Sequence, residues 1–305
     1  MWRGDAVVLL HSVFSNACLL AGRPCAAVQS LGVPKAFFIG NEYKLMPQKM
    51  QFCADLGVRL LVSQSSSPAV HRVYRDRLGC EVAGIPNAGL DAELFAPASS
   101  SSERPIDLGY RAQDAPFYIG HTERRDIGDY FQAHAADCGL VVDISMNSDD
   151  RLGVTEWAAF LNRCKGQLGT EAGGDFFELT DRTRLAVNDY TIQTPDASFA
   201  DVWTRFFAGY QEPLPLRIIS SRHVEAAGTR TAQILFEGHY DGYFEPGVHY
   251  IPLKKDFSNA PEVIATFRDR TERERIAGNA YDLVTTELTY NRLIDRFATA
   301  LEAVL

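Results

Sequence analysis

Four short apolar runs in the first hundred residues each end in a polar or glycine-containing turn, and this alternation restricts the fold more than any other feature. Ala6–Leu10 ends at His11-Ser12, and Ala36–Ile39 ends at Gly40-Asn41-Glu42. Val58–Val62 ends at Ser63-Gln64-Ser65, and Glu81–Ile85 ends at Pro86-Asn87-Ala88-Gly89. Met46–Leu56 and Pro68–Leu78 lie between them with helical character, and Pro68 suits a first-turn position. Strand alternating with helix predicts a parallel sheet with covered faces. Such sheets bind ligands beyond the carboxyl ends of their strands. The polar tails at His11, Asn41-Glu42 and Ser63–Ser67 therefore become candidate positions.

The 305 residues exceed what one hydrophobic core usually holds, so two domains are expected. Pro97–Pro105 reads PASSSSERP, a linker by composition. It divides an N-terminal domain, 1–100, from a C-terminal domain, 105–305. The second half repeats the alternation. Ile106–Leu108, Leu140–Ile144, Gln167–Thr170, Leu216–Ile219 and Thr231–Phe236 read as strands. Asp126–Cys138, Thr155–Cys164 and the stretch from Ser220 to Gly228 read as helices, as does most of Ala260–Leu305. Thr180–Pro215 breaks the rhythm and reads as an insertion.

Lys and Arg number 30 against 39 Asp and Glu, a net charge of −9. Tracking a phosphate backbone needs clustered cations, so nucleic-acid binding is not expected. Six scattered cysteines without a C-x-x-C pair, and no N-x-S/T sequon, suit reduced thiols in the cytoplasm. Polar residues His11, Ser12, Ser15 and Asn16 interrupt the first apolar run, which argues against a secretion signal. No run approaches the roughly 18 apolar residues of a membrane span, which leaves peripheral membrane contact open. The marks of a P-loop, H-E-x-x-H, G-x-S-x-G and G-x-G-x-x-G are absent, as is any D-x-D triplet for a metal.

Three stretches resemble a bacterial glycosyltransferase family related to the "glycosyl transferases group 1" set, of polysaccharide and spore-coat type. They are WAAFLNRCKGQLGTEAGG at Trp157–Gly174, SSRHVEAAGTRTAQILFEG at Ser220–Gly238, and HYIPLKKDFSN at His249–Asn259. Val7–Ser12 and Phe37–Tyr43 look like first-domain strands of that family, although the first domain is short for it. The resemblance implies an α/β fold of two Rossmann-like domains (GT-B) with a cleft between them. It implies metal-independent transfer of a sugar from a nucleotide-diphosphate sugar, a substrate rather than a cofactor, to a glycan or other acceptor. A nucleotide-sugar epimerase and a non-catalytic nucleotide-sugar or glycan-binding module are the alternatives.

The donor's leaving group is an anion, so the site must supply cations or oriented N–H groups. Helix starts and arginines do this without metal. Arg222-His223-x-Glu225 stands where a strand turns into a helix. The resemblance implies that Glu225 binds the ribose hydroxyls, Arg222 the diphosphate, and that His223 donates to the same group. On spacing alone, Glu225 reads at least as well as a first-turn partner of the helix dipole. Related retaining enzymes carry a second acid eight positions earlier, where Arg217 stands. Glu171, in the turn Glu171-Ala172-Gly173-Gly174, is the candidate for that acid, and Gly173 and Gly174 would admit a phosphate close to the backbone. Arg111 follows the first strand of the second half and is a further donor-phosphate candidate. Asp241 is the candidate for the sugar hydroxyls. His11, Glu42 and His121 are the candidate catalytic groups, each equally readable as a structural hydrogen-bonder.

Overall fold

The computed structural model describes residues 4–86, 88–98 and 104–305. Residues 99–103, which contain the whole serine run of the expected linker, and Asn87 lie outside the described residues. The first sheet comprises β1 (Val7–Leu9), β2 (Lys35–Phe38), β3 (Leu60–Ser63) and β4 (Glu81–Gly84), all parallel and in the order β1-β2-β3-β4. The connecting helices are α1 (Gly22–Gln29), α2 (Met46–Leu56) and α3 (Pro68–Leu78). Right-handed crossovers in an unbroken strand order lay every connecting helix on one face. Side-chain alternation agrees with this. Phe37, Leu61 and Val82 share a core with Met46, Met50, Val70 and Tyr74.

The opposite face of that sheet is covered from far along the chain. Ala36, Leu60 and Val62 pack in another core with Val284, Leu288 and Leu293. The rings of Phe38 and Phe297 lie 4.8 Å apart, and Leu90 N donates to Leu288 O. The last helix, α11 (Tyr290–Glu302), was expected with the second half. It packs on the first sheet instead, because that sheet has no helix of its own on this side.

The second sheet is also parallel, in the order β11-β10-β7-β5-β6. Its strands are β5 (Ile106–Arg111), β6 (Val142–Ser145), β7 (Cys164–Gly169), β10 (Ala232–Phe236) and β11 (Ile251–Leu253). Read from the other end this is a doubly wound 2-1-3-4-5 order, whose direction reverses between β5 and β7. The helices α4 (Glu123–His134), α5 (Val154–Arg163), α8 (Ser221–Gly228), α9 (Ala260–Arg268) and α10 (Arg270–Thr286) belong to this half. Together the two sheets form two Rossmann-like units, the GT-B arrangement. Among the described residues no helix is long and apolar enough to cross a membrane.

Leu216–Ile219 was expected as a core strand. The structure pairs β9 (Leu216–Ile218) antiparallel with β8 (Ala172–Gly174), outside the main sheet. Between them run α6 (Arg182–Gln193) and α7 (Phe199–Val202), the latter continuing into a π turn at Trp203–Phe207. The base of this insertion closes the first sheet's core, since Leu216 and Ile218 pack within it beside Phe177 and Leu214.

Two carboxylates from the second half meet helix starts of the first. Asp181, in left-handed backbone at φ 55°, accepts from Leu45 N at 2.7 Å and Met46 N at 3.2 Å, the leading amides of α2. Asp241 accepts from Ser66 N at 2.9 Å, just ahead of α3. Free N–H groups at a helix start favour a nearby anion. Asp181→Ala is expected to lower stability by about 1–2 kcal/mol, the usual range for a lost cap. The check is a lower urea midpoint with an unchanged slope.

Candidate nucleotide site

The reversal between β5 and β7 opens a crevice at their carboxyl ends, and a cavity of about 520 Å³ lies there. That volume falls among small-molecule sites, about 300–1,000 Å³. Tyr110–Gln113 at the end of β5 and just after it, Asn147 and Asp150–Leu152 beyond β6, and Gln167–Thr170 at the end of β7 line it. Ser220–His223 at the start of α8 form another wall, with Glu225 and Trp157 beside them.

Four arginines reach this cavity: Arg111, Arg124, Arg151 and Arg222. Arg111 is already occupied. Its guanidinium lies 4.4 Å over the Phe160 ring and donates to Asp143 Oδ1 at 2.7 Å. Arg111 thus reaches the cavity with its charge already balanced by Asp143. None of Arg124, Arg151 and Arg222 forms a salt bridge with the described residues. Arg222 sits on the first turn of α8, 5.5 Å over the Trp157 ring, and donates to the Arg111 carbonyl. The cavity therefore gathers unneutralised cations around a helix start, an arrangement suited to a polyanion.

Asp150, which accepts from Ser145 Oγ at 2.6 Å, and Glu225 are the acids in this basic setting. Glu225 Oε2 accepts from Trp157 Nε1 at 2.7 Å. His223, expected as a phosphate donor, stands in the cavity wall. It is buried, with Nδ1 accepting from Ser220 N at 3.1 Å. Burial holds its pKa down to about 3, while its contact with the Thr170 backbone opposes that shift. It is thus a neutral clamp between α8 and β7.

The remaining candidates stand elsewhere. Glu171 does not line the cavity; its Oε1 accepts from His239 N at 3.0 Å and Tyr240 N at 2.7 Å. Burial raises its pKa. Gly173, at φ 92°, is glycine because a Cβ there would run into the Leu216 carbonyl across the β8–β9 pair. Gly174 presses on Ile119 in the same way, so both glycines answer to packing rather than to a phosphate. Asp241, expected at sugar hydroxyls, accepts from Ile219 N at 2.8 Å and from Ser66, fastening the two halves.

None of the three candidate catalytic groups lines the cavity. Glu42 is 1% exposed and accepts from Ser63 Oγ, Gln64 N and Tyr74 OH at 2.6–2.8 Å. Burial raises its pKa against those hydrogen bonds. It joins β3 and α3 of the first half through these hydrogen bonds. His11 accepts from Gly40 N at 3.2 Å. His121 is buried with Nε2 3.4 Å from Gly173 O, and its Nδ1 lies 3.9 Å from Glu123 Oε2. Burial and the Arg217 charge lower the His121 pKa to about 4.

Arg217 is the centre of a buried charge network behind the cavity wall. It donates to both Glu123 oxygens at 2.8 and 3.0 Å and to Asp175 Oδ1 at 2.7 Å. Glu123 also takes Lys255 Nζ at 2.7 Å and the hydroxyl of Thr170, a cavity residue. The position where related enzymes carry an acid thus holds a cation that organises acids.

The cavity also holds Arg124, Arg151 and Trp157, of which Arg151 and Trp157 carry no mark in the sequence reading. The strand-end rule that singled out Arg111 applies equally to Asn147–Leu152 after β6. The neighbouring Arg125 turns away to Asp114.

No protein-family profile matches the sequence, and no curated protein matches it. Solved structures do match. Anabaena HepE in complex with UDP superposes with a TM-score of 0.54 at 12% identity, covering 98% of this chain and 79% of that one. HepE with UDP-glucose gives 0.52 at 13% identity, with the same coverages. TarM of S. aureus gives 0.52 at 10% identity, covering 88% of this chain and 50% of that one. The likeness is one of fold.

Proposed function

We propose that the chain is a glycosyltransferase moving a sugar from a nucleotide-diphosphate sugar to a glycan or other acceptor. The observation that carries this reading is the cluster of Arg124, Arg151 and Arg222, without salt bridges among the described residues, around the start of α8, with Glu225 alongside, at the point where the second sheet reverses. Phosphates are drawn to the arginines and the helix start, and the leaving diphosphate is stabilised there as its charge develops. Glu225 repels phosphate and so faces the neutral hydroxyls, where a carboxylate accepts from a diol. HepE, of the same fold, is known in complexes with UDP and UDP-glucose, which supports a nucleotide-sugar ligand. Six unpaired thiols suit a reducing, cytoplasmic setting.

One observation favours a second reading, a nucleotide-sugar-binding module without transferase activity. His11, Glu42 and His121 all stand outside the cavity. Titration calorimetry with UDP, GDP and ADP tests the shared premise. Product analysis with the matching nucleotide sugars, with and without a panel of sugar acceptors, separates the readings. The transferase reading requires a glycosylated product or donor hydrolysis. Binding without turnover supports the module, and an isomerised donor with no acceptor present identifies an epimerase. Glu225→Gln is expected to weaken the bound ribonucleoside diphosphate about tenfold, the value of a hydrogen bond to a charged group. Unchanged affinity would remove Glu225 from the site.

A further inference from the structure

The geometry points to Trp157 as a positioning residue that presets Glu225 for ribose hydroxyls, and so makes this site select ribonucleotides over deoxyribonucleotides. The inference rests on the nucleotide reading above and concerns how the same site chooses its ligand. Trp157 lies on the inner face of α5, buried and stacked on Phe160 at 5.6 Å and 23°. Its indole N–H is directed to Glu225 Oε2. Among the described residues that is the hydrogen bond made by the Glu225 carboxylate, and Oε1 takes none. The upper face of the same indole carries the Arg222 guanidinium. One side chain thus sets both functional groups of the first turns of α8.

A carboxylate with two free oxygens rotates and is hydrated on both. Tethering Oε2 to a packed indole leaves Oε1 as the free oxygen, on a side chain that lines the cavity beside Trp157. An acceptor held there can be satisfied only by a donor such as a hydroxyl. A ligand lacking that hydroxyl leaves a charged acceptor without its partner, and polar sites reject such ligands strongly.

The test is calorimetry with UDP and 2′-deoxy- and 3′-deoxy-UDP, or the corresponding guanine or adenine set if one binds more tightly. Wild-type protein is expected to prefer the ribonucleotide to at least one deoxy form by about tenfold or more. Trp157→Phe should erase most of that preference by weakening the ribonucleotide, with little effect on the disfavoured deoxy form. In a Glu225→Gln background it should change little further. Equal weakening of ribo and deoxy ligands, or full additivity with Glu225→Gln, would overturn the positioning role. Should Trp157→Phe fail to fold, the indole N–H resonance of intact protein decides. It should shift and exchange faster in Glu225→Gln than in wild type, and an unchanged resonance would refute the coupling. If no ribonucleoside diphosphate binds wild type, the nucleotide reading falls instead, a result distinct from binding without ribose preference.

Discussion

Arg222→Ala is expected to weaken nucleoside diphosphate binding by about a hundredfold or more. A guanidinium makes two charge-assisted hydrogen bonds to a phosphate, together roughly 3 kcal/mol, and each 1.4 kcal/mol is tenfold in affinity. Arg222 is placed for this. It is exposed at the cavity, forms no salt bridge among the described residues, and is steadied by the Trp157 ring and the Arg111 carbonyl. Because the side chain is exposed, the ligand-free protein should melt at nearly the wild-type temperature, so lost binding would not reflect lost folding. Calorimetry with UDP on both proteins is the measurement. Arg222→Lys should recover only part of the affinity, because lysine keeps the charge but not the fork. An affinity within threefold of wild type would exclude Arg222 from the phosphate site.

Arg217→Ala has the largest expected effect on stability, about 3–5 kcal/mol, the cost of breaking a buried ion pair from one side. Glu123 and Asp175 would lose their common cation, with Glu123 still enclosed by α4 and β7. The melting point should fall by on the order of 10 °C. Acid has a related effect. Burial alone would raise the Glu123 pKa, but the Arg217 hydrogen bonds and charge hold it down to about 2, against 4.5 when unfolded. That stabilisation is complete above pH 4.5 and is lost as pH falls toward 2. His121 and His223 act in the same direction from higher pH. Held neutral with pKa about 4 and about 3, they lose stability as the unfolded state takes up protons below pH 6.5. Urea midpoints should therefore decline steadily from pH 7 to pH 4. In Arg217→Ala the further decline below pH 4.5 should flatten, and a midpoint at pH 7 equal to wild type would refute the network's role.

Elements with local signals were legible. α2 and α3 run over the residues read for them, because each has a proline in its first turn. Each also ends in a left-handed glycine, Gly57 or Gly79, and such caps act within a few residues. β9 was legible as extended chain but not in its pairing, which depends on β8 returning across the whole insertion. β11 carries a proline at its centre, Pro252, and went unread. At the site, strand ends led to Arg111, Arg222 and Glu225, which do line the cavity. They did not reveal direction. Glu171, Asp241 and Glu42 are acids at plausible places, yet each turns to amides or hydroxyls supplied by distant segments. A carboxylate seeks the nearest unpaired N–H in three dimensions, and sequence spacing does not encode that neighbour.

The order of the first sheet also governs how this protein can be made. Phe38 emerges early from a ribosome, and its partner Phe297 only after almost all the intervening chain. Until then one face of β2 and β3 remains bare, an apolar surface that invites association with other nascent chains. The first hundred residues therefore cannot complete their own core as they are synthesised. Closure depends on a contact of very long sequence separation, the kind that slows folding most. A ribosome that stops short of α11 would release not a smaller working protein but a sheet with one side open.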